Sequence, residues 1–261
     1  MPENRYAGII AAIFRSHYST GDHEFLFDRE EFVKAARALR IKLPKNLGDI
    51  IYSFRYRADL PKSISQTAPK GMEWAIRAAG RGRYKFCLTK LNRIKPREGM
   101  IPIKIPDSTP EIVNAYALSD EQALLAKVRY NRLVDIFLGI TAYSLQNHLR
   151  TTLKNVGQLE IDELYVGVNK TGQQFVVPVQ AKSGADQLGP SQTEQDIACC
   201  SQKFSKLTCR AVSAQFMKDS TIAMFELALA DGEVGIVEER HYQLVPSGEI
   251  SEGELKNYAS R

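Results

Sequence analysis

Three polar side chains near the middle of the chain have types and a spacing suited to phosphodiester hydrolysis. Asp162 lies in one β-rich run, residues 159–168, and Gln180 and Lys182 lie in the next, residues 173–182. Carboxylate and amide oxygens can hold a divalent cation, which polarises a phosphate and lowers the pKa of an attacking water. A neighbouring lysine can orient that water and neutralise developing charge. The sequence therefore indicates a candidate site for metal-dependent hydrolysis.

A hairpin must bring these residues together, and its register follows from the turn. A three-residue loop at 170–172 places Gly172 at the left-handed bulge position, which is a common hairpin connection. Because strand side chains alternate, this register sets two pairs on one face: Asp162 with Gln180, and Glu160 with Lys182. A two-residue loop would shift the register by one residue and separate both pairs. The candidate site therefore depends on the turn.

Helices and strands are predicted on both sides of the hairpin. A broad apolar stripe predicts a long helix over 120–140, and alternating leucines predict a half-buried strand over 143–153. A capped helix and an apolar strand follow the hairpin, at 191–204 and 206–217. Two further strands are expected at 221–230 and 235–245, and a frayed tail at 247–261.

In this setting the segment resembles the PD-(D/E)XK nuclease superfamily, which includes many restriction endonucleases. The resemblance implies an α/β (α+β) fold with a restriction-endonuclease-like αβββαβ core. It also implies that Asp162 is the metal-binding aspartate, Gln180 the second metal ligand and Lys182 the catalytic lysine. The carbonyl of Ala181 would be the third metal ligand. The implied cofactor is Mg²⁺, for which Mn²⁺ can substitute.

Two departures from the family pattern affect the metal site. Ile161 stands where a proline often precedes the aspartate, and Gln180 stands in place of the usual acid, so the site carries less negative charge. Glu160, expected to face Lys182, could restore that charge and is a further candidate catalytic residue. Three auxiliary residues are Glu121, Gln192 and Gln195. An ordinary hairpin with solvent-facing polar residues remains the alternative, as does a plain polar helix face for the two glutamines.

The charge of the chain is divided unevenly between its two parts. The formal net charge is +5, but residues 1–105 hold 21 Lys/Arg and 10 Asp/Glu, whereas residues 106–261 hold 14 and 20. Opposite net charges suggest two domains with different tasks. We expect a winged-helix-like DNA-binding domain at 1–92, a proline-rich linker at 93–119 and a nuclease domain at 120–261.

The basic part shows the element order of a winged helix-turn-helix. Helices are predicted at 6–18, after Asp28 and at 47–57, followed by strands at 73–78 and 83–89. Asp28 and Glu31 have the spacing of a capping box at the start of the second helix. This order resembles the winged-helix domains found beside bacterial nucleases, which implies a third helix in the major groove and a hairpin on the DNA backbone. The alternative is a small helical domain with a solvated basic face. The candidate nucleic-acid contacts are Arg55, Arg57, Arg81, Arg83 and Lys85 here, and Gln146, His148 and Arg150 on the strand at 143–153.

These observations lead to three functional hypotheses. The first is an Mg²⁺-dependent DNA endonuclease, of which a type II restriction endonuclease is one kind, acting on double-stranded DNA; a homodimer is a reasonable expectation because a duplex requires two cuts. The second is a non-catalytic DNA-binding regulator derived from a nuclease fold, and the third an RNA- or branch-directed nuclease.

No apolar run approaches the roughly 20 residues of a membrane helix, and no signal pattern is present. The four cysteines have no CxxC spacing, which favours reduced thiols and a cytoplasmic location.

Overall fold

The computed structural model describes residues 6–80, 82–90, 93–116, 121–153, 157–184, 186–230 and 232–260. The fold is mixed α/β and divides into two compact units. The smaller unit comprises Met1–Ile94 with Gly189–Ser191, and the larger comprises Lys95–Leu188 and Gln192–Arg261. None of the helices in the described part of the chain combines the length and the apolar character that a membrane crossing requires.

The smaller unit packs its helices on a three-stranded antiparallel sheet of order β1-β3-β2. Aromatic rings fill its core: Phe14 meets Trp74 and Phe86 edge-on at centroid distances of 5.1 Å. The elements are α1 (Ala7–His17), β1 (Glu24–Asp28), α2 (Arg29–Leu39), α3 (Gly48–Tyr52) with a π-helical turn (Ser53–Arg57), α4 (Lys62–Ser65), β2 (Glu73–Ala78) and β3 (Arg83–Thr89).

Two local features of this unit differ from the sequence expectation. Strand β1 was not expected, because its five residues are too short for a clear alternating pattern. The single helix expected over 47–57 is instead α3 followed by the π-helical turn. In that turn the carbonyl of Phe54 accepts a hydrogen bond from the buried side chain of Arg93 at 3.0 Å. The predicted capping box at the start of α2 is present, with Glu31 accepting from the backbone of Asp28 at 2.8 Å.

The larger unit is built around a mixed eight-stranded sheet, whose main order is β4-β11-β10-β9-β7-β6-β5, with β8 beside β7. Strand β7 runs parallel to β9, and β4 runs parallel to β11. The elements are β4 (Ile103–Pro106), α5 (Glu111–Tyr116), α6 (Glu121–Tyr130), α7 (Leu133–Leu138), β5 (Thr141–Leu153), β6 (Gly157–Val168), β7 (Gln174–Ser183), α8 (Pro190–Lys203), β8 (Thr208–Cys209), β9 (Ala211–Phe216), β10 (Ile222–Ala230), β11 (Glu233–Val245) and α9 (Glu252–Ala259).

Helices cover both faces of this sheet, and each covered face is apolar. On one face α6 and α7 contribute residues such as Leu125 and Phe137 to a core that includes Val179 and Ala181 of β7. On the other face Cys199 and Cys200 of α8 pack with Ile161 and Val176. A strand with apolar side chains on both faces is a central one, and β7 is accordingly buried along almost its whole length.

Three segments of the larger unit depart from the sequence expectation. Residues 103–106, expected in a linker, form β4, because Pro106 is tolerated at the end of an edge strand. The long helix expected over 120–140 is interrupted between α6 and α7, where Arg132 adopts a left-handed φ of 49°. The tail expected to be frayed forms α9, whose first turn has a capping box between Ser251 and Glu254.

Candidate functional site

The hairpin of β6 and β7 has the predicted register. Pairing runs from Val168 opposite Gln174 to Glu163 opposite Val179, as the three-residue loop requires. Gly172 has φ +83° and donates its N–H to the carbonyl of Asn169 at 3.0 Å. Glycine adopts this left-handed conformation without steric cost, so the predicted three-residue loop at 170–172 is confirmed.

Regular pairing between β6 and β7 stops just before the candidate site. Beyond Glu163 and Val179 a side chain replaces the backbone partner: the N–H of Ala181 donates to Oδ2 of Asp162 at 2.9 Å. The Asp162 carboxylate therefore lies against the backbone of β7, next to Gln180. Asp162 and Gln180 are therefore not a ladder pair as predicted, and Asp162 binds instead to the N–H of Ala181, the residue after Gln180.

Gln180 is fixed by hydrogen bonds to both ends of its amide. Its Nε2 donates to the carbonyl of Glu160 and to Oδ2 of Asp196, both at 3.0 Å, while its Oε1 accepts from Nε2 of Gln192 at 2.8 Å. Because the carbonyl of Glu160 and Oδ2 of Asp196 are both acceptors, the Gln180 amide is oriented with its nitrogen facing them. The oxygen of Gln180 consequently points towards Gln192, which was predicted only as an auxiliary residue.

Asp196 is a site residue that sequence reasoning missed. It lies on α8, is only 3% exposed, and its Oδ1 has no hydrogen-bond partner among the described residues. Burial raises its pKa well above the ordinary value, the hydrogen bond from Gln180 opposes that rise, and the charge of Asp162 reinforces it. A usable signal was present, because Gln192 and Asp196 are four residues apart and so share one helix face.

Lys182 lies between carboxylates at the end of β7. Its Nζ is 3.5 Å from Oε1 of Glu121, the first described residue of α6. Burial raises the pKa of Glu121, and repulsion from Asp162 adds to this, whereas Lys182 lowers it. Burial likewise raises the pKa of Asp162, and Lys182 and the N–H of Ala181 oppose the rise. The ammonium group thus holds two partly buried acids in one cluster.

The expectation that Glu160 faces Lys182 is wrong. Glu160 instead faces β5, where it pairs in register with Arg150 and accepts from that residue's Nε at 3.0 Å; it also lies 3.1 Å from Nδ1 of His148. The hydrogen bond from Arg150, more than offsetting burial, lowers the pKa of Glu160. Strand β6 has two neighbouring strands, and the sequence does not specify with which of them a long side chain such as that of Glu160 makes contact. Glu160 therefore does not replace the charge that Gln180 lacks.

The predicted nucleic-acid contacts are distributed unevenly over the two units. The wing is the hairpin of β2 and β3. On it, Arg83 pairs with Asp28 at 3.3 Å and Lys85 with Glu24 at 2.7 Å, so both cations already have acidic partners on β1. Arg81 and the side chain of Arg57 lie outside the described residues. Of the others, Arg55 is half-buried in the π-helical turn, Gln146 is exposed on β5, and His148 and Arg150 are bound to Glu160. Gln195, predicted as an auxiliary residue, is half-buried on α8.

A charge swap tests the hydrogen-bond arrangement around Gln180. Gln180→Glu replaces a donor with an acceptor opposite two acceptors, so we expect the free energy of unfolding to fall by about 3 kcal/mol. Adding Asp196→Asn restores a donor and should recover at least half of that loss. Chemical denaturation measures both effects, with Gln202→Glu on the exposed side of α8 as the matched control. Equal stability of Gln180→Glu and Gln202→Glu would contradict the arrangement.

The cluster has a donor set compatible with a small hard cation. No group of three or more His, Cys, Asp or Glu within the described ranges is arranged to hold a metal. Mg²⁺ does not require such a group, because it keeps several waters and binds through one or two carboxylates together with substrate phosphates. Asp162 and Glu121 are two such carboxylates, and a cation would relieve their mutual repulsion. The carbonyl of Ala181 and the amide oxygen of Gln180 are neutral donors next to them.

Comparisons with known proteins add no relative to this picture: no protein-family model, curated protein or solved structure matches the chain at a significant level. The residues of this chain and their geometry are therefore the basis for assigning its function.

Proposed function

We propose that the larger unit is an Mg²⁺-dependent endonuclease that hydrolyses phosphodiester bonds in DNA. The observation that carries the proposal is that Asp162 binds the N–H of Ala181, between Gln180 and Lys182, at the point where β6 and β7 stop pairing. The surrounding order of helix, three antiparallel strands, helix and parallel strand supports a restriction-endonuclease-like core. A type II restriction endonuclease is the specific class we favour.

The residues of the cluster fit the cation that this function needs. Asp162 and the carbonyl of Ala181 would hold Mg²⁺. The amide oxygen of Gln180 would be a neutral ligand once its hydrogen bond from Gln192 is broken. When bound, the cation polarises the phosphate and lowers the pKa of the attacking water. The orphaned Oδ1 of Asp196 is a further acceptor next to this group.

The side chains around the scissile phosphate have separate tasks. Lys182, held by Glu121, donates from Nζ to the attacking water or to a phosphate oxygen as negative charge develops there. Asp162 is fixed by the N–H of Ala181, which keeps one carboxylate oxygen in place. Glu121, whose pKa is raised, is suited to exchange a proton with the leaving group through water.

The smaller unit supports a role in docking on duplex DNA. Its helix and strand order, with a sheet of order β1-β3-β2, agrees with a winged helix-turn-helix in which α3 would enter the major groove. A homodimer would let the enzyme cut both strands. The four cysteines are free, in agreement with a reducing compartment such as the cytoplasm.

A non-catalytic DNA-binding regulator is the second candidate, and one observation favours it. The position of the usual acid is held by Gln180, whose amide oxygen is already bound by Gln192. A chain that has lost catalysis could keep such a hydrogen-bonded arrangement in place of a metal.

A substrate panel separates these functions. The full chain is incubated with duplex DNA, single-stranded DNA, branched DNA and RNA, each with Mg²⁺, Mn²⁺ or EDTA. The proposed endonuclease cuts duplex DNA with Mg²⁺ or Mn²⁺ and not with EDTA. A regulator retards DNA with strong salt dependence and cuts nothing, and preferential cutting of RNA or branches would assign the third function.

A further inference from the structure

A second run of basic residues in the smaller unit lies outside the predicted wing, on α2 and the connector to α3. From Phe32 to Gly48 the chain has no acidic residue and five cations. All five are exposed. We call residues 34–45 the basic segment; its cations are Lys34, Arg37, Arg40, Lys42 and Lys45.

The fold of α2 turns the helical part of this segment outward. Phe32 and Ala36 of α2 are buried, with exposures of 0% and 2%, and they fix the face of the helix that meets the core. Lys34 and Arg37, one turn apart, lie on the opposite face. The helix ends at Leu39, the following Arg40 takes a left-handed φ of 56°, and the connector to α3 carries the remaining cations.

The cations of the basic segment differ from those of the wing in their partners. Arg83 and Lys85 of the wing are paired with Asp28 and Glu24. By contrast, no cation of the basic segment forms an ion pair or a side-chain hydrogen bond with any residue that the structure describes. Five exposed cations without an ion-pair partner within so short a stretch create a positive potential that attracts an external anion.

We propose that the basic segment, rather than the wing, is the main phosphate-binding surface of the smaller unit, and that its partner is the backbone of double-stranded DNA. This inference rests on the proposed function, which supplies DNA as the polyanion. A duplex backbone presents closely spaced phosphates along a line, as the cations of the segment follow one another along the helix and the connector. Each phosphate that a cation neutralises releases counterions, so binding must weaken steeply with salt.

Binding measurements on the full chain test the surface. The variant Lys34→Gln/Arg37→Gln/Lys42→Gln is compared with a control of equal charge change, Arg15→Gln/Lys62→Gln/Lys70→Gln, which removes exposed cations elsewhere on the unit. Affinity for a short duplex is measured over a range of salt, with EDTA to prevent cutting. We expect the first variant to bind at least about tenfold more weakly, with a salt slope shallower by about 0.9 for each phosphate that is no longer neutralised. The control should bind only a few-fold more weakly.

The alternative results have distinct meanings. Equal weakening in the two triple variants, or a larger effect in Arg83→Gln/Lys85→Gln, would overturn the proposal. Stronger binding to anionic vesicles or to RNA, abolished in the first variant, would overturn the choice of partner. Salt-dependent binding through the basic segment without cutting would instead contradict the proposed function and leave the surface assignment standing.

Discussion

Lys182→Met is expected to slow cleavage of duplex DNA by about a thousandfold with Mg²⁺ present, while leaving DNA binding within a few-fold of the wild type. Removal of one preorganised donor to the developing charge in a transition state costs about 100- to 1000-fold. Lys182 is only 8% exposed and lies between Glu121 and Asp162, so its loss also leaves two acids without their common cation. The effect should therefore be at the upper end of that range.

Single-turnover cleavage at saturating protein measures this step without a contribution from binding. Methionine keeps most of the volume of the lysine side chain, which limits damage to packing. The matched control is Lys203→Met, which removes an exposed lysine from the last turn of α8 and should cut at the wild-type rate. A thermal melt of each variant shows whether lost activity comes from lost structure. A fully folded Lys182→Met protein that cuts as fast as Lys203→Met would exclude a catalytic role for this lysine.

Arg210→Met is expected to lower the free energy of unfolding of the larger unit by about 3 kcal/mol. Arg210 binds both carboxylate oxygens of Glu226, at 2.6 and 2.7 Å, and donates to the carbonyl of Leu138 at 2.9 Å. These hydrogen bonds join the end of α7 to β10. Removing the guanidinium leaves a mostly buried carboxylate without its partner, and that is the costly event.

Chemical denaturation, followed by a probe in the larger unit, measures the destabilisation. The control is Arg240→Met, whose partner Glu238 lies at 2.7 Å in a pair with both side chains more than one-third exposed. Exposed pairs contribute about 0–1 kcal/mol, so the control should change little. Adding Glu226→Gln to Arg210→Met removes the unpaired charge and should recover part of the stability. If Arg210→Met costs no more than Arg240→Met, the pair does not stabilise the sheet.

The sequence was most informative where local chemistry determines geometry. Gly172 at a bulge position specifies a three-residue loop, the loop specifies the register, and the register places Asp162 near Gln180. The capping box after Asp28 was equally local and equally visible. In both cases a few neighbouring residues determine the conformation, without help from distant parts of the chain.

The sequence was least informative where tertiary packing decides. Glu160 pairs with β5 rather than β7, because alternation along β6 does not specify which neighbouring strand a long side chain reaches. Asp196 belongs to the site because α8 packs over Gln180. Its spacing from Gln192 indicates a shared helix face, but not that this face is buried against β7. Strand β4 was not predicted because Pro102 precedes it and Pro106 ends it, and prolines indicate a connector unless the strand lies at a sheet edge.

The most direct test of the proposed catalytic cluster is Mg²⁺-dependent cleavage of plasmid DNA by the wild type and by Asp162→Asn. Asparagine can still accept the N–H of Ala181, so this variant keeps the local hydrogen bond and removes only the charge. We predict that the wild type converts supercoiled plasmid into nicked or linear DNA, that EDTA stops it, and that Asp162→Asn is slower by at least about 100-fold. Equal Mg²⁺-dependent cleavage by the two proteins, or no cleavage of any nucleic acid by the wild type, would contradict the assignment.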